Sequence, residues 1–304
     1  MVKIVIGCGK NKNVIDAVEN IQNAIFNNIF KDLEIEIVNS NENFIESYNN
    51  NDVDALIRGS LKSSDIISQI AKINKKTINR ATYIKENFKN NFNSNNFNNS
   101  NFNSNFNSNS NFNFNSNAIS NLNNNSHYHN LNGKFEFLLL PVGIDEGKNI
   151  NERFKMAIEA IKFMNNINKS SKIAILSGAR EGDIGRSKEI DKSLNDSTKL
   201  FKMINDYIND SNQTNNLKNT VKNYNILIEQ AINDKNNIII APDGIIGNIL
   251  FRTLVLLNNW KSYGAIALNS KKIFIDTSRD QSTDGYERSI ILAYNLIKNQ
   301  KNSF

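Results

Sequence analysis

The chain has 304 residues, 36 basic and 30 acidic side chains, and a formal net charge of +6. This length admits two domains or one large α/β domain, and the charge favours anionic ligands, but no Lys/Arg block of the kind that tracks a nucleic-acid backbone is present. The one cysteine, Cys8, excludes an internal disulfide and a cysteine-cluster metal site, and no apolar run approaches the roughly 18–20 residues of a membrane helix.

Met1 to Ile6 reads as a short strand running into a turn, without the longer apolar stretch of a leader peptide, so a cytoplasmic protein is expected. In chain order, apolar and β-branched runs predict strands at 2–7, 33–38, 53–58, 135–141, 172–177, 237–241, 264–268 and 272–276. Amphipathic spacing predicts helices at 12–30, 63–74, 150–165, 186–208, 217–233, 246–258 and 284–298. Strands and helices in alternation argue for an α/β protein with a mostly parallel sheet covered on both faces. Asn87 to Ser126 interrupts this order. It is almost entirely asparagine, phenylalanine and serine, with no 2 or 3.6 period, and reads as a disordered insertion. His127 and His129 close the tract with no nearby carboxylate or cysteine to complete a metal set, and no metal is expected.

In open parallel sheets ligands collect at the carboxyl ends of the strands, so the residues there are the candidates. Gly7, Cys8, Gly9 and Lys10 follow the first strand, but the spacing of a full phosphate-binding loop is missing. Arg58, Gly59 and Ser60 follow the third and lead into Lys62-Ser63-Ser64. There Ser63 or Ser64 can cap a helix, and an arginine with hydroxyls can cradle a phosphate. Ser177 to Ser187 carries Arg180 and Arg186 among three glycines, a candidate anion-binding or lid loop. The run Ile238 to Ile240 stops at Pro242 and opens into Asp243, Gly244, Gly247, Asn248 and, one turn later, Arg252. Strand, glycine-rich turn and helix is a common way to offer backbone N–H groups to an anion. After the last strand, Thr277-Ser278-Arg279 places a hydroxyl beside a guanidinium, and Asp284 follows as a candidate proton acceptor.

The segments Ala241 to Arg252 and Asp276 to Ser282 resemble the phosphate acyltransferases: phosphotransacetylase, phosphotransbutyrylase and the fatty-acyl phosphate synthase. The matching residues are Asp243, Gly244, Gly247, Asn248 and Arg252, then Asp276, Ser278 and Arg279. Ser177 to Ser187 is similar to a loop of the acyl-phosphate synthase branch, and Asp54 to Gly59 to a stretch of the acetyltransferase branch. Across everything but the Asn-rich tract, Arg58-Gly59-Ser60-Leu61, Leu176 to Arg186 and Asp276 to Arg279 resemble the methanogenesis marker family described as subunit X of a methyltransferase, the mtx group. The resemblance implies a two-lobed α/β/α fold of the isocitrate/isopropylmalate dehydrogenase type, as in the phosphate acyltransferases. It divides the chain into a first lobe at 1–86, the insertion at 87–130, a second lobe at 131–263, and a segment at 264–304 that returns to the first lobe to face the cleft.

It further implies a methanogen source, a complex with corrinoid-carrying and methyl-transferring subunits, and a homodimer. No nucleic acid or membrane is implied. No cofactor is required on this chain. Phosphate or a CoA thioester is the expected ligand, and any corrinoid sits on a partner subunit. One departure stands out: the acyltransferases keep a small residue after the Ser-Arg pair, where this chain has Asp280, whose carboxylate would repel a phosphate placed beside it. Three functions follow. The first is a transferase subunit of a methyl-transfer complex. The second is a stand-alone phosphate acyltransferase-type enzyme, with Arg58, Arg180, Arg186, Arg252 and Arg279 around the phosphate, Ser278 as hydrogen-bond donor and Asp284 as base. The third is a non-catalytic anion- or CoA-thioester-binding assembly factor.

Overall fold

A computed structural model describes residues 1–26, 30, 32–86, 135–212 and 217–301. The Asn-rich insertion and His127 and His129 lie outside the described residues. In chain order the elements are β1 (Val2–Gly7), α1 (Asn13–Phe26), β2 (Leu33–Val38), α2 (Asn41–Asn49), β3 (Ala55–Ile57), α3 (Ser63–Asn74), β4 (Arg80–Lys85), β5 (Glu136–Leu140), α4 (Ile150–Asn166), β6 (Lys172–Leu176), α5 (Lys188–Asn212), β7 (Thr220–Asn225), α6 (Ile228–Asn233), β8 (Ile238–Ile240), α7 (Gly244–Phe251), β9 (Lys261–Ala267), β10 (Ile273–Asp276) and α8 (Thr283–Lys301).

The strands form one ten-stranded sheet in the order β2-β1-β3-β10-β9-β4-β5-β8-β6-β7. β1, β2, β3 and β10 are mutually parallel, as are β5, β6, β7 and β8. β9 and β4 are antiparallel to their neighbours, so the two parallel groups run in opposite directions. Opposite directions alone would send their carboxyl ends to opposite edges. The register prevents this. Asp276 pairs with Ala265, Ala265 with Thr82, and Thr82 with Leu139, so the last residues of β10 and β5 fall on nearly the same row. The carboxyl edges of both groups therefore meet across the long central strands β4 and β9.

Burial follows this plan. The inner strands are apolar on both faces, as in Ile238, Ile239 and Ile240, which are fully buried. At the β2 edge the outward Glu34 and Glu36 pair with Lys3 on β1 at 3.3 and 2.9 Å. On one face a single apolar cluster runs under α1, α8, α4 and α5. On the other face the core splits: one cluster lies under α2 and α3, including Phe44, Leu61, Ile66 and Phe274, and another under α6 and α7, including Phe137, Val142 and Trp260. The gap between them is a cleft floored by β4, β9 and β10.

Some local expectations change. Residues 217–233 do not form one helix. Thr220–Asn225 is the β7 edge strand, exposed or half-buried at all but Tyr224, and only Ile228–Asn233 is helical. The helix expected at 246–258 begins earlier, at Gly244, and widens into a π turn over Arg252–Leu257. β4 and α2 have no counterpart among the predicted elements. α2 buries Phe44 and Tyr48, one turn apart, and is capped by Ser40 Oγ accepting from the Asn43 amide at 3.1 Å. Ser40→Ala is expected to lower stability by about 1 kcal/mol in urea denaturation. No change would mean that water satisfies that amide equally well.

Candidate anion-binding cleft

The cleft has a volume of about 560 Å³. Its rim combines Ser63 of α3, Asn248 and Phe251 of α7, Arg252 of the π turn that follows it, Val142 to Asp145 of the β5–α4 loop, and Thr277, Ser278, Arg279 and Gln281 after β10. Behind this rim lies a buried charge network. Asp276 accepts from Arg58 Nε on one oxygen and from Arg80 Nη1 at 2.7 Å on the other. Arg80 Nε also donates to Glu146 at 2.6 Å, whose second oxygen accepts from the Gly143 amide at 3.2 Å. Burial works against the charge on Arg80, but Glu146 and Asp276 outweigh it and hold the guanidinium protonated. Burial pushes the Glu146 carboxyl above its usual range, with Arg80 pulling the other way. The carboxylates at the floor are thus matched by Arg58 and Arg80.

Arg252 and Arg279 are different. Both are exposed, both line the cleft, and neither forms an ion pair with a described residue. Ser278 and Asn248 line it with them, and Asn248 Nδ2 donates to Val142 O at 3.1 Å, tying α7 to the β5–α4 loop. Asp280 is absent from the lining although both neighbours are present, so its carboxylate does not face the space between the arginines.

The other candidates take structural positions. Arg58 is buried and committed to Asp276 and Leu61 O, behind the cleft wall. Gly59 adopts φ +62°, where a Cβ would overlap the Gly7 carbonyl, and Ser60 Oγ accepts from the Gly9 amide at 2.7 Å, so both knit two loops together. Lys62, not Ser63 or Ser64, is the N-cap of α3, and no side chain caps that end. Ser63 instead sits in the first turn and reaches the cleft.

Asp243 caps α7 by accepting from the Ile246 amide at 2.8 Å, and the Gly244 amide donates to Glu146 O at 3.1 Å, so protein groups already take two of the first amides of this helix. A Cβ at Gly247 would overlap the Pro141 carbonyl, which makes close packing the reason for that glycine. Arg186 pairs with Asp183 at 2.6 Å, and neither it nor Arg180 lines the cleft. Asp284 also lies outside the lining. Burial opposes its ionisation, but hydrogen bonds from Ser282 and Arg288 prevail and hold the carboxyl below its usual range. Burial raises the Cys8 thiol, which keeps it a weak nucleophile.

Arg80, Glu146 and Asp145 escaped the sequence reading. The signal available was a charged residue opening a β-branched run, Arg80-Ala81-Thr82-Tyr83-Ile84, next to a low-complexity tract.

The fold defines a class. The structure superposes with TM-score 0.61 on a branched-chain phosphotransacylase of Enterococcus faecalis, 12% identical, over 98% of this chain and 99% of that one. It reaches 0.51 against a β-decarboxylating dehydrogenase of Thermococcus kodakarensis, 8% identical, over 97% and 84%. This is the phosphotransacylase and decarboxylating-dehydrogenase type of mostly parallel α/β sheet.

Within that class the sequence points to methanogens. The chain is 29% identical over 300 residues to an uncharacterized methyltransferase of Methanocaldococcus jannaschii, covering 96% of this chain and 94% of that protein. It is 38% identical over 143 residues to a Methanosarcina barkeri protein with the provisional name methyltransferase mtx subunit X. That match spans 47% of this chain and about half of the relative, 49%. No family model matches the chain. The chain thus resembles the mtx subunit X proteins in sequence and the phosphotransacylases in fold. Among the described residues no helix is long and apolar enough to cross a membrane, and no three potential ligands among His, Cys, Asp and Glu cluster to hold a metal.

Proposed function

We propose that this chain is a transferase subunit that holds the anionic group of its substrate between Arg252 and Arg279. One observation carries the reading: these two guanidiniums share one cleft without carboxylate partners, while the buried carboxylates nearby are matched by Arg58 and Arg80. A cationic pair in a recess attracts a phosphate or the phosphates of a CoA thioester more strongly than the same pair on an open surface. Ser278 lines the same cleft, and in this reading it donates a hydrogen bond to an oxygen that gains charge during transfer. The resemblance to methanogen proteins named as methyltransferases supports a role in a methyl-transferring assembly in the cytoplasm, beside corrinoid-carrying and methyl-transferring subunits.

Calorimetric titration with inorganic phosphate tests the site. The unsubstituted chain should bind, and Arg252→Ala and Arg279→Ala should each weaken binding by about 10–100-fold, the loss of one charge-assisted hydrogen bond. Equal affinity in both variants would remove the proposal. Purification from the native host tests the assembly, and recovery without a corrinoid protein would count against it.

A second reading, a non-catalytic anion-binding assembly factor, draws on Asp284. Its carboxylate is held by Ser282 and Arg288 outside the cleft, which leaves the expected base away from the site. Phosphate binding without acyl or methyl transfer would favour it.

A further inference from the structure

The helices over the continuous apolar face pack in two pairs, α4 on α5 and α8 on α1. Between the pairs the core does not close. Phe163 and Ile167 at the α4 end, Leu296 of α8, Ile266 and Leu268 around the β9 end, and Ile273 of β10 line a cavity of about 270 Å³. That is roughly the share of nine water molecules in the liquid. Folded interiors are packed to crystal-like density, so a space of this size between apolar side chains is more than a packing seam requires. It shares no lining residue with the anion cleft. β10 separates the two: Ile273 at its start lines the cavity, and Asp276 at its end lines the cleft.

The polar part of the lining is basic, with Lys162, Lys271 and Lys272 against Asp54 and Glu159. Both carboxylates have partners. Asp54 Oδ2 accepts from the Lys3 amide at 2.8 Å and attracts Lys272, whose ammonium donates to Asn50 O. Glu159 Oε2 accepts from Asn79 Nδ2 at 2.8 Å. Burial pushes the Glu159 carboxyl up, with Asn79 and the lysines around it, Lys162 among them, pulling it back. Lys162 and Lys271 are exposed, and among the described residues neither forms an ion pair.

An apolar recess with cations at its mouth is complementary to a molecule with an apolar body and one anionic end. A sugar phosphate or nucleotide fits poorly, because its hydroxyls would be buried against Phe163, Ile266 and Leu296 without partners. We propose that this cavity is a second ligand site, separate from the anion cleft, and that it takes an aliphatic carboxylate. The chain lies against Phe163, Ile167 and Leu296, and the carboxylate meets Lys162 and Lys271.

Calorimetric titration of the full chain with sodium octanoate, kept below its micelle-forming concentration, is the test. Octanoate should bind at one site per chain, at least about ten-fold more tightly than butyrate, because its longer tail buries more apolar surface. Octylammonium, with the same tail and the opposite charge, should bind at least about ten-fold more weakly than octanoate. Lys162→Gln and Lys271→Gln should each weaken octanoate about ten-fold without weakening octylammonium. Saturating inorganic phosphate should leave octanoate binding unchanged. Octanoate binding that both lysine variants retain in full, or that phosphate abolishes, would overturn the proposal, as would equal affinity for octanoate and octylammonium. Absence of octanoate binding at millimolar concentration would overturn it too, and would leave the reading of the cleft untouched.

Discussion

Arg80→Leu is expected to lower folding stability by about 3–5 kcal/mol at neutral pH, because it strips Glu146 of its guanidinium and leaves Asp276 with Arg58 alone. The loss should depend on pH in a definite direction. Burial already raises the Glu146 carboxyl against the pull of Arg80, and without Arg80 it rises further. A carboxyl raised in the folded state contributes stability that is complete below its unfolded value, about 4.3, and disappears as pH climbs through the folded value. The deficit of the variant relative to the parent should therefore shrink as pH falls from 7 toward 4, where Glu146 enters the folded state neutral. Urea midpoints at pH 7 and pH 4.5 measure this. A deficit below about 1 kcal/mol, or one independent of pH, would show that the network is not the support described.

Gly244→Ala is expected to be comparably damaging. A Cβ at this position would overlap the Gly143 carbonyl, and the start of α7 would have to lift off the β5–α4 loop that forms one cleft wall. Overpacking of this kind typically costs about 1–3 kcal/mol and here should reach or exceed the upper figure, since the obstacle is backbone. Gly182→Ala makes a matched control: nothing lies within 4 Å of its Cβ, and a change within about 0.5 kcal/mol is expected. Thermal unfolding of both variants separates two reasons for a glycine. If Gly244→Ala unfolds like the parent but no longer binds phosphate, the residue serves ligand approach and the packing account is wrong.

These two sites mark where the sequence could be followed and where it could not. β1 and β2 match their predicted ranges because β-branched runs bounded by turn residues are a local signal. α3 matches for the same kind of reason: its buried Ile66 and Ile70 lie one turn apart. β7 was misread because an edge strand has little apolar pattern, and Asn223 and Asn225 fit a helix surface as well as an open edge. β4 was missed although it is central. Its charged ends, Arg80 and Lys85, are buried or half-buried, and Arg80 is neutralised only by residues far along the chain, Glu146 in the β5–α4 loop and Asp276 on β10. Ser278 and Arg279 were legible as cleft residues because they stand just past a strand end, and Asn248 and Arg252 because they follow, one and two turns on, the glycine-rich turn after β8. Arg58 looked identical by that criterion and lies behind the wall.

The sequence alone determined the alternation of strands and helices, the ends of strands where chemistry gathers, and the resemblance to phosphotransacylases and methanogen proteins. All of these depend on residues within a few positions of one another. Tertiary structure decided which arginines face the cleft. Arg80 meets Glu146 across 66 positions and Asp276 across 196, and Asn11 reaches the 279 carbonyl across 268. A guanidinium is equally charged wherever it stands. Whether it is spent on a buried carboxylate or left for a ligand depends on the register that aligns β10 with β5, and no local pattern carries that register.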